Sequence, residues 1–219
     1  MVSGGAGLAP RRARKSVAFI IVPPGRTHYT RAMTEFTSLT NHFLIAMPAL
    51  ADPNFHHSVT YICEHNPSGA MGIVINRPLD LKFGEVLEQM NIEGADPDIS
   101  QQAVFLGGPV HTDRGFVIHK PIGKWESTLR VASRIGVTTS RDIVAAVAAG
   151  KGPKQALIAL GYAGWGAGQL EKEMAENAWL SGPADIKVMF TVPVDKRWEV
   201  AAASLGIDLS RMSNDVGHA

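Results

Sequence analysis

From His42 onward, short apolar runs bounded by Gly, Pro and Asn alternate with a few helical segments, and these runs predict strands. Such runs occupy residues 42–48, 58–65, 70–76, 103–106, 116–119, 128–133 and 186–192. Asn66-Pro-Ser-Gly69 is turn chemistry and predicts a hairpin between the second and third runs. The Gly-rich stretch 107–115 predicts a second, wider hairpin joining the runs at 103–106 and 116–119. The segment 155–160, Gln-Ala-Leu-Ile-Ala-Leu, reads as a buried strand. Three segments change period. Phe83, Val86, Leu87 and Met90 share one face of a helix over 81–90. Thr139 or Ser140 caps a helix through Ile143, Val144 and Val147 that Gly150 closes. Asp195 caps a third over 196–205, with Trp198, Ala201, Ala202 and Leu205 inward. Hairpins plus isolated helices, without regular strand–helix alternation, predict an α+β domain with a mixed, mostly antiparallel sheet.

With 219 residues, 45% apolar and 19% charged, the chain can bury one core, and no apolar run reaches the roughly 20 residues of a membrane helix. The net charge of +1 conceals an asymmetry. Six of the 21 basic residues precede Met33 and no acidic one does, so the remaining 15 face all 20 acidic residues and the segment from Met33 carries −5. Such a body repels polyanions. Residues 1–38 read as a basic leader, and the reading places the true start at Met33, with residues 39–219 forming the domain. Cys63 is the single cysteine, so no intrachain disulfide forms, in keeping with a reducing cytoplasm.

Candidate chemistry concentrates at 161–173, where Gly161, Gly164, Gly166 and Gly168 surround Trp165 before a helical segment. A turn there opens a helix at about Gly168, with Gln169 and the first-turn N–H groups presented to a ligand and Trp165 offering a stacking face. Leu170 and Met174 bury the other side. The alternative is a tight crossover whose glycines only let the helix pack closely. The Gly-Lys-Ser/Thr of a phosphate loop is missing, and Glu171 and Glu173 oppose a phosphate. Gly107, Gly108 and Pro109 suit a backbone that approaches something closely, while His119 reads as a hydrogen-bonded core residue, a cleft wall or an acid–base group. Asn76 and Arg77 end a buried strand, where the guanidinium clamps a carboxylate or phosphate or makes a structural ion pair. Asp52-Pro-Asn54 is turn chemistry, and the adjacent His56 and His57 seldom converge on one ion, so no metal or other cofactor is expected. Cys63 and His65 share a strand face too far apart for a direct bond. A helix-turn-helix at 139–160 fails because its second segment is too apolar for a groove in DNA.

The segments NHFLIAMP at 41–48, ADPNF at 51–55, EHN at 64–66, GAMGIVINRP at 69–78, GGPV at 107–110 and GYAGWGAGQLE at 161–171 together resemble the YqgE/AlgH family (UPF0301), in order and spacing, from Leu39 to about Leu209. The resemblance implies a single domain with a barrel-like, bifurcated sheet in a bacterial cytoplasmic protein assigned to transcriptional regulation. The leading expectation is a regulator with a small-molecule or peptide cleft that acts through a protein partner. Its walls are the 107–110 loop, the 76–78 strand end and the 164–171 turn, with Asn76, Arg77, Gly107, Gly108, Pro109, His119, Gly164, Trp165, Gly168, Gln169 and Glu171 at the ligand and no residue assigned a catalytic role. Two alternatives are an enzyme using His119 or Glu171 as acid or base in the same cleft, and a regulator that binds DNA directly.

Overall fold

The structure is a computed structural model that describes residues 36–209. Met33 and the leader up to residue 35 lie outside the described residues. The elements run β1 (His42–Ala46), β2 (Val59–Asn66), β3 (Gly69–Val74), β4 (Pro78–Lys82), α1 (Phe83–Gln89), α2 (Pro97–Ser100), β5 (Ala103–Leu106), β6 (Val110–Lys120), β7 (Thr128–Arg130), β8 (Gly136–Thr138), α3 (Arg141–Ala148), β9 (Gln155–Gly166), α4 (Gln169–Ala175), β10 (Trp179–Pro183), α5 (Ile186–Phe190) and, after a 3-10 turn at Val194–Lys196, α6 (Arg197–Ala203).

The strands form one curled sheet in the order β10-β1-β2-β3-β9-β6-β8-β7, with β5 pairing β9 and β4 pairing β5 as a branch. The long strand β9 makes the bifurcation. Its first half lies parallel to β5, with Val104 opposite Ile158, and antiparallel to β6, with Val117 opposite the same residue. Its second half is antiparallel to β3, where Gly72 faces Ala163 and Gly69 faces Gly166. This is the α+β, mostly antiparallel architecture that the sequence pattern predicts, with the bifurcated sheet that the family resemblance implies.

Side-chain alternation divides the core into three. The inner face collects Phe43, Ile45, Tyr61, Ile73, Phe116, Ile118, Val137, Leu157 and Ala159, and α5 and α6 close on it with Val188, Met189, Ala201 and Ala202. Outside one half of the sheet, Phe83 and Leu87 of α1 and Ile143 and Val147 of α3 pack on Val117 and Ile158. Outside the other half, Leu170 packs with Leu44, Ile62, Ala163, Trp165 and Trp179. Gly161 lets β9 serve all three. Odd residues 157 and 159 face inward before it, whereas Tyr162 packs inward after it and Ala163 and Trp165 face out. Its φ of 75° absorbs the extra residue, and a Cβ there would lie 2.5 Å from the Gly108 carbonyl oxygen.

Several expectations are corrected. The segment 186–192 is not a strand: the Asp185 side chain accepts from Lys187 N–H at 2.7 Å and caps α5, and its Ile, Val, Met and Phe look strand-like only because the inner core surrounds them. β5 and β6 form no hairpin, because β9 runs between them and takes the pairing of both. Asp195 caps nothing; it lies within the 3-10 turn, and α6 starts at Arg197 without a side-chain cap. Gly164 and Gly166 belong to β9 rather than to the expected turn at 164–171, since pairing with β3 keeps the backbone extended to Gly166.

Candidate functional site

At one end of the inner face the sheet leaves a groove of about 550 Å³. Met71 from β3, Phe116 from β6, Leu129 from β7, Val137 from β8 and Tyr162 from β9 form its apolar floor. Phe116 and Tyr162 meet edge to face with centroids 5.8 Å apart, and His111 stacks on Tyr162 at 6.0 Å. Arg114 lies with its guanidinium carbon 5.8 Å from the Phe116 ring centre and makes no ion pair with a described residue, whereas Glu64 across the rim accepts from Asn66 at 2.9 Å. Gly164 is exposed in this groove, and a Cβ there would meet only the Tyr162 ring, at 3.4 Å. The groove thus joins apolar surface to one cation and one anion, enough to orient an amphipathic ligand.

Trp165 borders the groove, yet its ring is turned away. Only 6% exposed, it stacks with Phe55 at 6.1 Å and meets Trp179 edge to face. Its Nε1–H donates to Glu173 Oε2 at 2.9 Å, Trp179 Nε1–H donates to the same oxygen at 2.8 Å, and Gln169 Nε2 donates to Oε1 at 2.9 Å. Gln169 Oε1 in turn accepts from Gly166 N–H at 3.0 Å. Gln169 and Trp165 are therefore spent inside the protein, fastening α4 to β9 and β10. Gly168, at φ 73°, opens α4 as expected. Glu171 accepts from His65 Nε2–H at 2.9 Å; the Leu39 N–H donates to His65 Nδ1 at 3.0 Å, which places the ring hydrogen on Nε2.

Asn76 and Arg77 hold the 52–57 loop. Asn76 Oδ1 accepts from Val59 N–H and its Nδ2 donates to the His57 carbonyl, while Arg77 donates to the carbonyls of Pro53 at 2.7 Å and His56 at 2.8 Å. Backbone bonds from Leu106 N–H to the Arg77 carbonyl and from Val74 N–H to the Gly107 carbonyl bring the strand end and the 107–110 loop together. Gly107 and Gly108 press against the backbone of Gly161 and Tyr162, leaving no room for a Cβ, and Pro109 is exposed beside them. His119 is fully buried, donating through Nδ1 to the Pro121 carbonyl at 3.0 Å and accepting at Nε2 from Thr138 at 2.8 Å. Burial holds this imidazole below its ordinary 6.5, against the opposing pull of the Pro121 carbonyl. Burial likewise pushes the Cys63 thiol up, with the neighbouring Glu64 carboxylate adding to it. Among the described residues, no three His, Cys, Asp or Glu side chains gather as metal ligands.

The expected walls are thus neighbours along β9, but the side chains named for them do not converge on one cavity; Gly164 and Trp165 reach the groove. Sequence reasoning missed Glu64, Arg114, Leu129 and Tyr162 as groove residues. The available signal is the strand alternation that puts Tyr162 and Phe116 on the inner face, but using it requires the β6–β8–β7 register and the shift at Gly161.

A family model described as AlgH-like matches residues 43–210. A UPF0301 protein of Thioalkalivibrio sulfidiphilus is 61% identical over 187 residues, which is 85% of this chain and all of the relative. One from Nitrosococcus oceani is 59% identical over 179 residues, 82% of this chain and 96% of the relative. The solution structure of the AlgH protein of Pseudomonas aeruginosa, 51% identical, superposes with a TM-score of 0.69 over 84% of this chain and 97% of that one. A crystal structure of a Corynebacterium diphtheriae protein, only 20% identical, shares the fold at a TM-score of 0.63 over 84% and 95% of the two chains. By the family model and these relatives alike, the chain belongs to the AlgH-like (UPF0301) family.

Proposed function

We propose that the protein is a cytoplasmic ligand-binding regulator that takes a small molecule or short peptide in the groove floored by Tyr162 and rimmed by Arg114 and acts on transcription through a protein partner. The observation that carries this reading is the groove itself: an apolar inner face left open at one end, with a guanidinium at its rim that no described carboxylate pairs. Apolar burial supplies affinity there, and Arg114 selects an acidic or carbonyl-bearing end. The acid–base alternative finds less support, because both ring nitrogens of His119 are engaged and Glu171 already accepts from His65. Direct DNA recognition through 154–160 loses its helix, which is strand β9.

The test is a thermal-shift screen of nucleotides, acyl and amino-acid metabolites, short peptides and duplex DNA. A ligand at 100 times its dissociation constant stabilises by about 2.7 kcal/mol. The reading expects a metabolite or peptide to raise the melting temperature of the parent protein, and Arg114→Ala to weaken that response. A response carried by DNA alone, or one unchanged in Arg114→Ala, overturns it.

A further inference from the structure

A second cavity, of about 490 Å³, opens beside the first residues of β9, between that strand, α3 and α5. Its polar lining is Gln102, Lys154, Gln155 and Arg197, with no Asp or Glu, and Val147 and Phe190 contribute apolar wall. Arg197 is the unusual member. The residue is 6% exposed, yet among the described residues no carboxylate pairs with it. Nε donates to the Val192 carbonyl at 3.2 Å and Nη1 to the Ile75 carbonyl, and the guanidinium carbon lies 5.3 Å from the Phe105 ring centre, leaving Nη2 without an acceptor among the described residues. Burial pushes this guanidinium down to about 10, because removal from water disfavours its charged form. A buried charge of this kind is costly unless something negative meets it.

We propose that this cavity is an anion site, in which Arg197 receives the carboxylate or phosphate group of a small molecule, Gln102, Lys154 and Gln155 complete the polar ring, and Val147 and Phe190 hold its apolar body. The cavity falls within the volume range of small-molecule sites. Ile158 lines it and Tyr162 lines the groove, so along β9 the two linings come within four residues of each other, roughly 13 Å. An anion here would touch the element that also floors the groove, so the site is distinct from the groove yet joined to it through β9.

The experiment is a nitrogen-15 NMR titration of the full chain, following the Arg197 Nε–H resonance, with hexanoate, inorganic phosphate and, as the uncharged control, hexanol, each to about 20 mM, well above a millimolar dissociation constant. The site predicts a saturable shift of that resonance with hexanoate or phosphate and none of similar size with hexanol. A hexanoate response identifies the carboxylate as the preferred group, a phosphate response the phosphate. Lys154→Gln, an exposed change that leaves the fold alone, should weaken binding about two- to five-fold. An Arg197 resonance unmoved by both anions, a hexanol shift equal to theirs, or an affinity unchanged in Lys154→Gln each overturns the proposal.

Discussion

Glu173 offers the sharpest energetic test of how the 161–179 region is held. Its Oε2 accepts from the indoles of Trp165 and Trp179 at 2.9 and 2.8 Å, and these rings are 6% and 3% exposed. Glu173→Ala leaves two nearly buried N–H groups without their acceptor, at about 1–3 kcal/mol each. Because Glu173 itself is half-buried and water can approach from its open side, the lower part of the range applies, about 2–4 kcal/mol in all. At about 2–4 °C per kcal/mol for a domain of this size, the melting temperature falls by roughly 4–16 °C. Glu173→Gln keeps an acceptor oxygen but loses the charge, which is worth about half of such a bond, so its loss should be intermediate. Urea unfolding followed by far-ultraviolet circular dichroism measures both variants without relying on indole emission, which the substitutions themselves alter. A Glu173→Ala protein within about 0.5 kcal/mol of the parent would refute the reasoning, because only a surface substitution behaves so.

Three further outcomes follow from other parts of the fold. His119 is neutral in the folded state because burial lowers its pKa beneath 6.5, so the unfolded chain binds the extra proton and stability falls as pH drops below about 6.5, by at most about 1.4 kcal/mol per pH unit; His119→Gln should flatten that part of the urea-midpoint profile, and an identical profile would count against the assignment. Gly161→Ala forces a positive φ on alanine and drives its Cβ into the Gly108 carbonyl, so it should cost more than about 2 kcal/mol, read by the same unfolding assay. Thr60 is fully buried and its hydroxyl has no hydrogen-bond partner among the described residues, so Thr60→Val should be neutral or stabilising by about 1 kcal/mol, and a loss larger than that would reveal a partner for the hydroxyl.

The parts of this fold that were legible in the sequence are those governed by local period. Ile73 and Val74 sit in a strand because they follow the Asn66–Gly69 turn, and Phe83 and Leu87 bury one face of α1 because they recur every four residues. What escaped depends on partners far along the chain. The β-branched residues of 186–192 favour a strand, yet Asp185 and the inner core make them a helix. β8 has three residues, too few to show a period, and β5 and β6 are separated by a strand that follows them by some 40 residues. The same holds for the site. The glycines of 161–168 advertise close packing, but they serve different ends: Gly161 meets Gly108, Gly164 opens the groove and Gly168 starts α4. Arg77 looks like an anion clamp until the carbonyls of Pro53 and His56 are seen to occupy it, and His65 finds Glu171 across 106 residues. Arg197 gives no sign in the sequence that it is buried, because a charged residue at the start of a helix is ordinarily exposed.

If the groove is a ligand site for regulation, filling it with the Gly164→Leu substitution should abolish regulation. Gly164 is exposed, has no positive φ and faces only the Tyr162 ring, so leucine should fill the groove while leaving the fold intact. The measurement is the transcript profile of native cells carrying this variant in place of the parent gene, set beside a deletion strain, with protein abundance and melting temperature checked in parallel. The expected result is a folded, normally abundant protein whose transcript profile matches the deletion. A folded, abundant Gly164→Leu protein with the parent profile would contradict it.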